Sequence, residues 1–400
     1  MSFNPASAIQ DLLVFGEFGG VNPSITDSAT YTFLSPETME EAFEHEKEGC
    51  FLYSRHWNPI NKYLSGAIAN MEDTESAQVT SSGMSAISCV LLQLCGSGDE
   101  VVSGRTVYGG TFALLKNFLP RFGIHTTFVD IVDHQAVKRA ITNKTRVLYT
   151  ESVSNPLLEV ADIAKLANIA HEHDLTLVVD NTFTPMILSP ARLGADVVVH
   201  SMTKFINGTS DTVAGAICGK KDLIVRLTDV SSGATMLLGP VLDSLRAASI
   251  LKNLHTLHIR MRQHSRNAQA LAERLTEWGF EVHYPGLEGH PQHTMMRQMM
   301  HREFGFGGMM SVDFGTIEAA KQLMKVMQED EVGFLAVSLG YFKTLFSAPG
   351  HSTSSEIPVE EQEKMGLSDG LVRFSIGLDD DCDRIIERLH KSLKRVGLVS

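Results

Sequence analysis

Asp196-Val197-Val198-Val199-His200-Ser201-Met202-Thr203-Lys204 opens as a short β-branched run and closes on two hydroxyls and a lysine. An apolar run of this length reads as a strand buried on both faces. Behind it, Asn207-Gly208-Thr209-Ser210-Asp211 is a polar turn. A lysine just past the carboxyl end of a buried strand stands where open α/β sheets place their ligands. The hydroxyls suit an anionic group, and a partly desolvated lysine amine suits a carbonyl carbon. Together they point to a Schiff base with a phosphorylated aldehyde. Taken alone, the same stretch also fits a surface lysine that merely ends a strand, so the rest of the chain must supply the other parts of a site.

Working outward, residues 175–180 read as a second buried strand, and 77–79, 100–103, 126–130, 146–149 and 213–218 as further ones. Helical spacing fills the intervals. Asn58-Pro59 is a cap followed by proline, ahead of Ile60, Leu64, Ala67, Ile68 and Met71. Helices are also expected over 84–94, 108–119, 135–142 and 162–173. Strand and helix alternating at this spacing predict a largely parallel sheet covered on both faces. One long helix is expected over 240–278. Beyond it, 280–283, 309–314, 333–339 and 372–376 read as strands, with helices over 317–327 and from Asp380. The chain thus divides into an arm over residues 1–58, a large sheet domain over 59–245 and a smaller α/β domain over 246–400. The arm, which includes Phe15-Gly16-Glu17-Phe18, shows no sustained period apart from one helix over 36–47. An arm this long is expected to wrap a second subunit.

Bulk properties narrow the partners. A length of 400 residues favours two domains. The formal net charge of −13 argues against nucleic acid or an anionic membrane as main partner. The apolar runs are too short to cross a bilayer, and Met1-Ser2-Phe3-Asn4-Pro5 lacks the basic-then-apolar pattern of a secretory signal. Cys50, Cys89, Cys95, Cys218 and Cys382 are scattered without a Cys-x-x-Cys pair. They read as small buried apolar residues of a reducing, cytoplasmic protein rather than as disulfides or zinc ligands. His283, His290, His293 and His301 match no strong zinc spacing, and no metal is expected.

The remaining candidates lie at strand ends. Asp180 closes an apolar strand, and a buried carboxylate needs a partner such as a protonated pyridine nitrogen; a turn cap is the alternative. Ser82-Gly83-Met84 stands at a strand-to-helix junction, where free N–H groups and the helix dipole attract phosphate, or where an ordinary helix is capped. Tyr108-Gly109-Gly110-Thr111 offers a ring that can lie on a planar cofactor, with glycines allowing close approach. Asn155, before Pro156, can donate to a ring oxygen or shape a turn. Tyr53 and Arg55, two apart in extended chain, face one way and can grip phosphate. Arg373 lies inside an apolar strand and needs a bidentate partner, either a substrate carboxylate or an internal carboxylate.

In this order and spacing, Tyr53-Ser54-Arg55, Ser82-Gly83-Met84, Tyr108-Gly109-Gly110-Thr111, Glu151 to Pro156, Asp180-Asn181-Thr182, Ser201-Met202-Thr203-Lys204, Ser338-Leu339-Gly340 and Arg373 form a set. The set resembles the cysteine/methionine-metabolism family of fold-type-I pyridoxal-phosphate-dependent enzymes, from about residue 50 to the C-terminus. The resemblance implies the fold-type-I α/β fold, with a large, mostly parallel sheet domain, a smaller C-terminal α/β domain and an N-terminal arm. It implies pyridoxal 5'-phosphate as cofactor, carried by Lys204, which then shuttles protons. Asp180 would pair the pyridinium nitrogen, Tyr108 stack on the ring and protonate the leaving sulfur, and Asn155 touch the ring oxygen. Ser82, Gly83, Met84, Ser201 and Thr203 would hold the phosphate, with Tyr53 and Arg55 arriving from a neighbouring subunit of a homotetramer. Arg373 and Ser338 would take the substrate carboxylate.

The implied reaction is α,γ-elimination on a small sulfur amino acid, methionine foremost, giving 2-oxobutanoate, ammonia and methanethiol. Val337 is apolar where members acting on cystathionine tend to carry glutamate, which favours an uncharged thioether. Gly110 stands where many bacterial members acting on methionine carry cysteine, and the usual Met-Thr-His run is altered over residues 347–353. Elimination from homocysteine or cystathionine, and γ-replacement on an O-acylhomoserine, are therefore the alternatives.

Overall fold

A computed structural model of the chain describes residues 3–12, 16–44, 49–351 and 359–400. Phe15, the end of the helix expected over 36–47 and the altered stretch after His351 lie outside them. Seven strands form the first sheet: β1 (Ser76–Thr80), β2 (Glu100–Gly104), β3 (His125–Val129), β4 (Thr145–Glu151), β5 (Thr176–Asp180), β6 (Val197–Ser201) and β7 (Gly215–Gly219). Their order is β1-β7-β6-β5-β4-β2-β3. Strands β3, β2, β4, β5 and β6 run parallel, while β7 is antiparallel to both of its neighbours. The largely parallel sheet expected from the alternation is present.

Period-two alternation splits the valine runs between two cores. Val179 and Val198 face Leu64, Ile68 and Met71 of the helix Pro59–Glu72 and Leu166 of the helix Ile163–Glu172. Val178, Val197 and Val199 face Ile87, Val90 and Leu91 of the helix Gly83–Leu94. Each is at most a few per cent exposed, and full burial of such a side chain stabilises by about 1.5–3 kcal/mol. Both faces are thus covered, and the carboxyl ends of β4, β5 and β6 are left to build a site. Asn58 accepts from Ile60 N with Pro59 at the first helical position, as its dipeptide predicts.

The second sheet comprises β8 (Glu281–His283), β9 (Met309–Asp313), β10 (Phe334–Leu335), β11 (Leu345–Ser347) and β12 (Leu371–Ser375), in the order β10-β11-β12-β9-β8. Met310, Val312, Val372 and Phe374 pack with Leu271, Leu323 and Leu389 of three helices in a separate core.

Three expected elements differ. The helix expected over 240–278 is two, Ser244–Leu254 and Leu257–Glu277. At the break, the carbonyl of Asn253 accepts from Arg260 Nη2 at 2.9 Å and from Thr256 Oγ1 at 3.1 Å. There the side chains supplement a backbone bond from Thr256 N at 3.2 Å, where a continuous helix would supply the bond from Leu257 N. The helix expected over 108–119 becomes an α turn (Gly109–Ala113), a π turn (Leu114–Phe118) and a 3-10 turn (Leu119–Phe122), with Pro120 in the last and Gly123 at φ 75° ending it. The strand expected over 333–339 pairs only at Phe334–Leu335. Its remainder turns toward Lys204, because Gly340 at φ 78° packs on backbone: a Cβ there would stand 2.5 Å from Phe205 N.

Candidate active site

The carboxyl ends of β4, β5 and β6 and the second sheet's β12 enclose a cavity of about 280 Å³. Ser82, Gly83, Met84, Tyr108, Asn155, Asp180, Ser201, Thr203, Lys204, Val337 and Arg373 all line it. Eleven positions that the sequence scatters over almost three hundred residues converge because most stand at or just past the end of a strand at this rim, while Arg373 reaches it from within β12.

Lys204 lies in the turn after β6, where Nζ donates to Ser338 Oγ at 3.1 Å. Desolvation, and then the charge of Arg373, push its ammonium down to about 8. A buried amine of this kind is neutral, and nucleophilic, far more often than a solvated lysine. Asp180 ends β5 and accepts from Thr182 N at 2.9 Å. Burial raises its carboxyl above the usual range, while Thr182 and, across the sheet, His200 oppose that rise. A cationic ring nitrogen would offset the desolvation that the protein itself leaves uncompensated.

Ser82 caps the helix Gly83–Leu94 in a reciprocal box with Ser85, whose N–H donates to Ser82 Oγ at 3.0 Å. The other first-turn N–H groups, with no intrahelical acceptor, form an anion cradle at the cavity wall. A Cβ on Gly83 would stand 2.7 Å from Ser201 Cβ, so only glycine lets the helix start meet the end of β6. Thr203 Oγ1 accepts from Ala214 N at 3.0 Å, and Thr182 Oγ1 accepts from Ser201 N at 2.8 Å, which fixes the turn that carries Lys204.

On the opposite wall Arg373, 3% exposed within β12, donates from Nη1 to Asn155 Oδ1 at 2.9 Å. Desolvation lowers its guanidinium to about 10, opposed by Tyr108 and Glu151. Its other donors are left for a carboxylate, and Asn155, its oxygen engaged, keeps its amide N–H groups for a further acceptor.

Tyr53, Arg55 and Gly110 do not line this cavity. Tyr53 bridges Thr30 through its backbone, and Arg55 Nη1 donates to Met236 O at 2.8 Å. Gly110 sits behind Tyr108: a Cβ there would lie 2.6 Å from the tyrosine ring. Conversely, Glu151 and Thr182 line the cavity although the sequence reading gave them no role. For Glu151 the signal was present, since it is a carboxylate closing an apolar strand, as Asp180 is.

These residues fit a phosphorylated pyridine aldehyde: an amine of lowered basicity, a buried carboxylate, an anion cradle and an exposed aromatic face meet in one cavity. A lysine-centred cavity at the carboxyl ends of a parallel sheet, closed by an arginine from a second sheet, defines a cofactor-dependent enzyme of fold type I. Residues 13–394 match the Cys/Met metabolism PLP-dependent enzyme family, and the chain belongs to that family. It is 51% identical to methionine gamma-lyase of Arabidopsis thaliana over 94% of this chain and 86% of that one. It is 40% identical to L-methionine gamma-lyase of Pseudomonas putida over 94% and 93%. Among solved structures, a Campylobacter jejuni protein that carries N'-pyridoxyl-lysine-5'-monophosphate superposes with a TM-score of 0.90 at 28% identity, covering 98% of this chain and 100% of that one. Among the described residues, no helix is long and apolar enough to cross a membrane.

Proposed function

We propose that this protein is a pyridoxal-phosphate-dependent carbon–sulfur lyase that converts L-methionine and water into 2-oxobutanoate, ammonia and methanethiol. The observation that carries the reading is the 51% identity to a methionine gamma-lyase over 94% of the chain, joined to a cavity in which Val337 adds no charge. When bound, the cofactor's protonated ring supplies an electron sink that lowers the cost of removing the Cα proton.

The protein's own residues divide the remaining work. Arg373, steadied by Asn155, binds the substrate carboxylate, with Ser338 beside it. Lys204 holds the cofactor and then moves protons at Cα and Cβ, its low basicity keeping it ready to accept them near neutral pH. Tyr108, which lines the cavity, would stack on the cofactor ring when it is bound, and its phenol would supply the proton that the departing thiolate needs. Asp180 would pair with the ring nitrogen and keep it protonated, and Asn155 would donate to the ring oxygen. Ser82, Gly83, Met84, Ser201 and Thr203 would hold the cofactor's phosphate. Val337 faces the thioether, and Gly110 leaves the Tyr108 ring its room.

Tyr53 and Arg55, which stand away from their own chain's cavity, complete that of a neighbouring subunit. In this reading residues 1–58 form the intersubunit arm, 59–245 the cofactor domain and 246–400 the substrate domain of a cytoplasmic homotetramer built from two active dimers. Light scattering tests the assembly.

The decisive experiment incubates purified holoprotein with methionine, homocysteine, cystathionine, and O-acetylhomoserine plus sulfide, and identifies products by mass. 2-Oxobutanoate with methanethiol from methionine is expected. No 2-oxo acid from methionine or homocysteine, with homocysteine formed from O-acetylhomoserine and sulfide, would replace elimination by γ-replacement.

A further inference from the structure

Glu151 ends β4, the strand between β2 and β5, and is 7% exposed. Its two carboxylate oxygens are used separately. Oε1 accepts from Tyr108 N at 2.7 Å and Oε2 from Asn155 N at 2.9 Å. The first bond ties down the loop after β2 that carries the aromatic ring. The second ties down the loop after β4, whose Asn155 side chain meets Arg373 at 2.9 Å. One side chain therefore spans the two segments that flank the cavity.

A neutral residue does not reproduce this. Two backbone donors that approach from different loops need two acceptor oxygens on one group, and among side chains only a carboxylate has them; glutamine offers one oxygen and two donors. The placement is costly, because the carboxylate is buried and shares the cavity with Asp180. Burial, and then the charge of Asp180, raise its pKa well above the usual carboxylate range, opposed by the two backbone donors and by Arg373. Holding a loop at the surface would not require a second buried carboxylate facing the first.

We propose that Glu151 is a positioning residue that sets the ring of Tyr108 and the Asn155–Arg373 pair relative to one another, so that cofactor stacking and substrate-carboxylate capture depend on one buried group. The proposal rests on the reading of the cavity as a pyridoxal-phosphate site, but not on which sulfur amino acid is consumed.

The test uses holoenzyme carrying Glu151→Gln, which keeps the shape and loses one acceptor, and Glu151→Asp, which keeps the charge and loses reach. Visible circular dichroism of the bound cofactor reports the ring environment, and the kcat and KM of whichever substrate turns over report catalysis and capture. A changed visible band with a fall in kcat/KM of roughly ten- to a hundred-fold is expected for Glu151→Gln, from one charge-assisted hydrogen bond lost. A cycle of Glu151→Asp with Asn155→Ala should be strongly non-additive, because the first acts through the second. If Glu151→Gln fails to fold, Glu151→Asp and the cycle carry the test. An unchanged visible band with kcat and KM within about twofold, whatever the melting temperature does, overturns the proposal, since a merely structural glutamate moves only stability. A changed band in a protein that leaves methionine intact would uphold Glu151's role and remove the methionine reading instead.

Discussion

Lys204 gives a prediction whose size follows from its burial. Its ammonium drops from an ordinary 10.5 to about 8, with desolvation first and the guanidinium of Arg373 second among the causes. At about pH 7.5 roughly a quarter of such amines are neutral, against about one in a thousand for an ordinary lysine, an enrichment of roughly two-hundred-fold in the form that attacks a carbonyl. The perturbation is pH, applied to cofactor-free protein, and then Arg373→Met. The assay follows the visible band as pyridoxal phosphate is captured, from about pH 6 to about pH 10. A lowered value means that the neutral amine accumulates as pH rises toward about 8. The capture rate should therefore climb about tenfold per unit below that point and level above it. Arg373→Met removes a neighbouring cation, so the break should move to higher pH. A break near about 10, the value of a solvated lysine, would refute the desolvation reasoning. A break near about 8 that ignores Arg373→Met would refute the charge contribution alone.

Three further outcomes test other parts of the site. Gly83→Ala places a methyl 2.7 Å from Ser201 Cβ; the dissociation constant for pyridoxal phosphate should rise by about tenfold or more, at a stability cost of about 1–3 kcal/mol in thermal melting. Glu72→Leu deprives buried His200 Nε2, at 2.8 Å, and Asn181 Nδ2, at 3.1 Å, of their shared acceptor. Unfolding should become easier by about 3–5 kcal/mol, and a loss below about 1 kcal/mol would mean that these groups find other partners. Val337→Glu sets a carboxylate at the cavity wall; kcat/KM for methionine should fall and that for cystathionine rise, and parallel falls in both would show that Val337 does not select the leaving group.

Some of this was legible before any coordinates because it is local. The valine runs of β5 and β6 are strands whatever their neighbours, since β-branched chains buried on both faces suit nothing else at that length. Asn58-Pro59 and Ser82 start helices through bonds to backbone two or three residues away. Two of the errors fell where contacts across the fold decide, whereas Pro120 and Gly123 ended the helix expected over 108–119 locally. The break at His255-Thr256 depends on Arg260 reaching Asn253 and also the carbonyl of Ile206. The turn of the chain after Leu335 depends on Gly340 lying on the backbone of Phe205. Periodicity within one segment carries no trace of such contacts.

The same division holds for the site. By itself the sequence determined which residue types stand at the strand ends of an alternation that admits few topologies, and with them the family; Lys204 as cofactor lysine, Asp180 as its carboxylate partner and the helix start at Ser82 as phosphate cradle are the roles proposed for those positions. Tertiary structure alone decided what those residues do to one another. It brought Asn155 against Arg373, 218 positions away, gave Lys204 the hydroxyl of Ser338, and set Glu151 astride two loops while leaving Tyr53 and Arg55 outside. The reason is physical: a strand's existence follows from its own side chains, whereas a buried group's partners and charge state follow from whatever the packed sheets bring within about 3 Å of it.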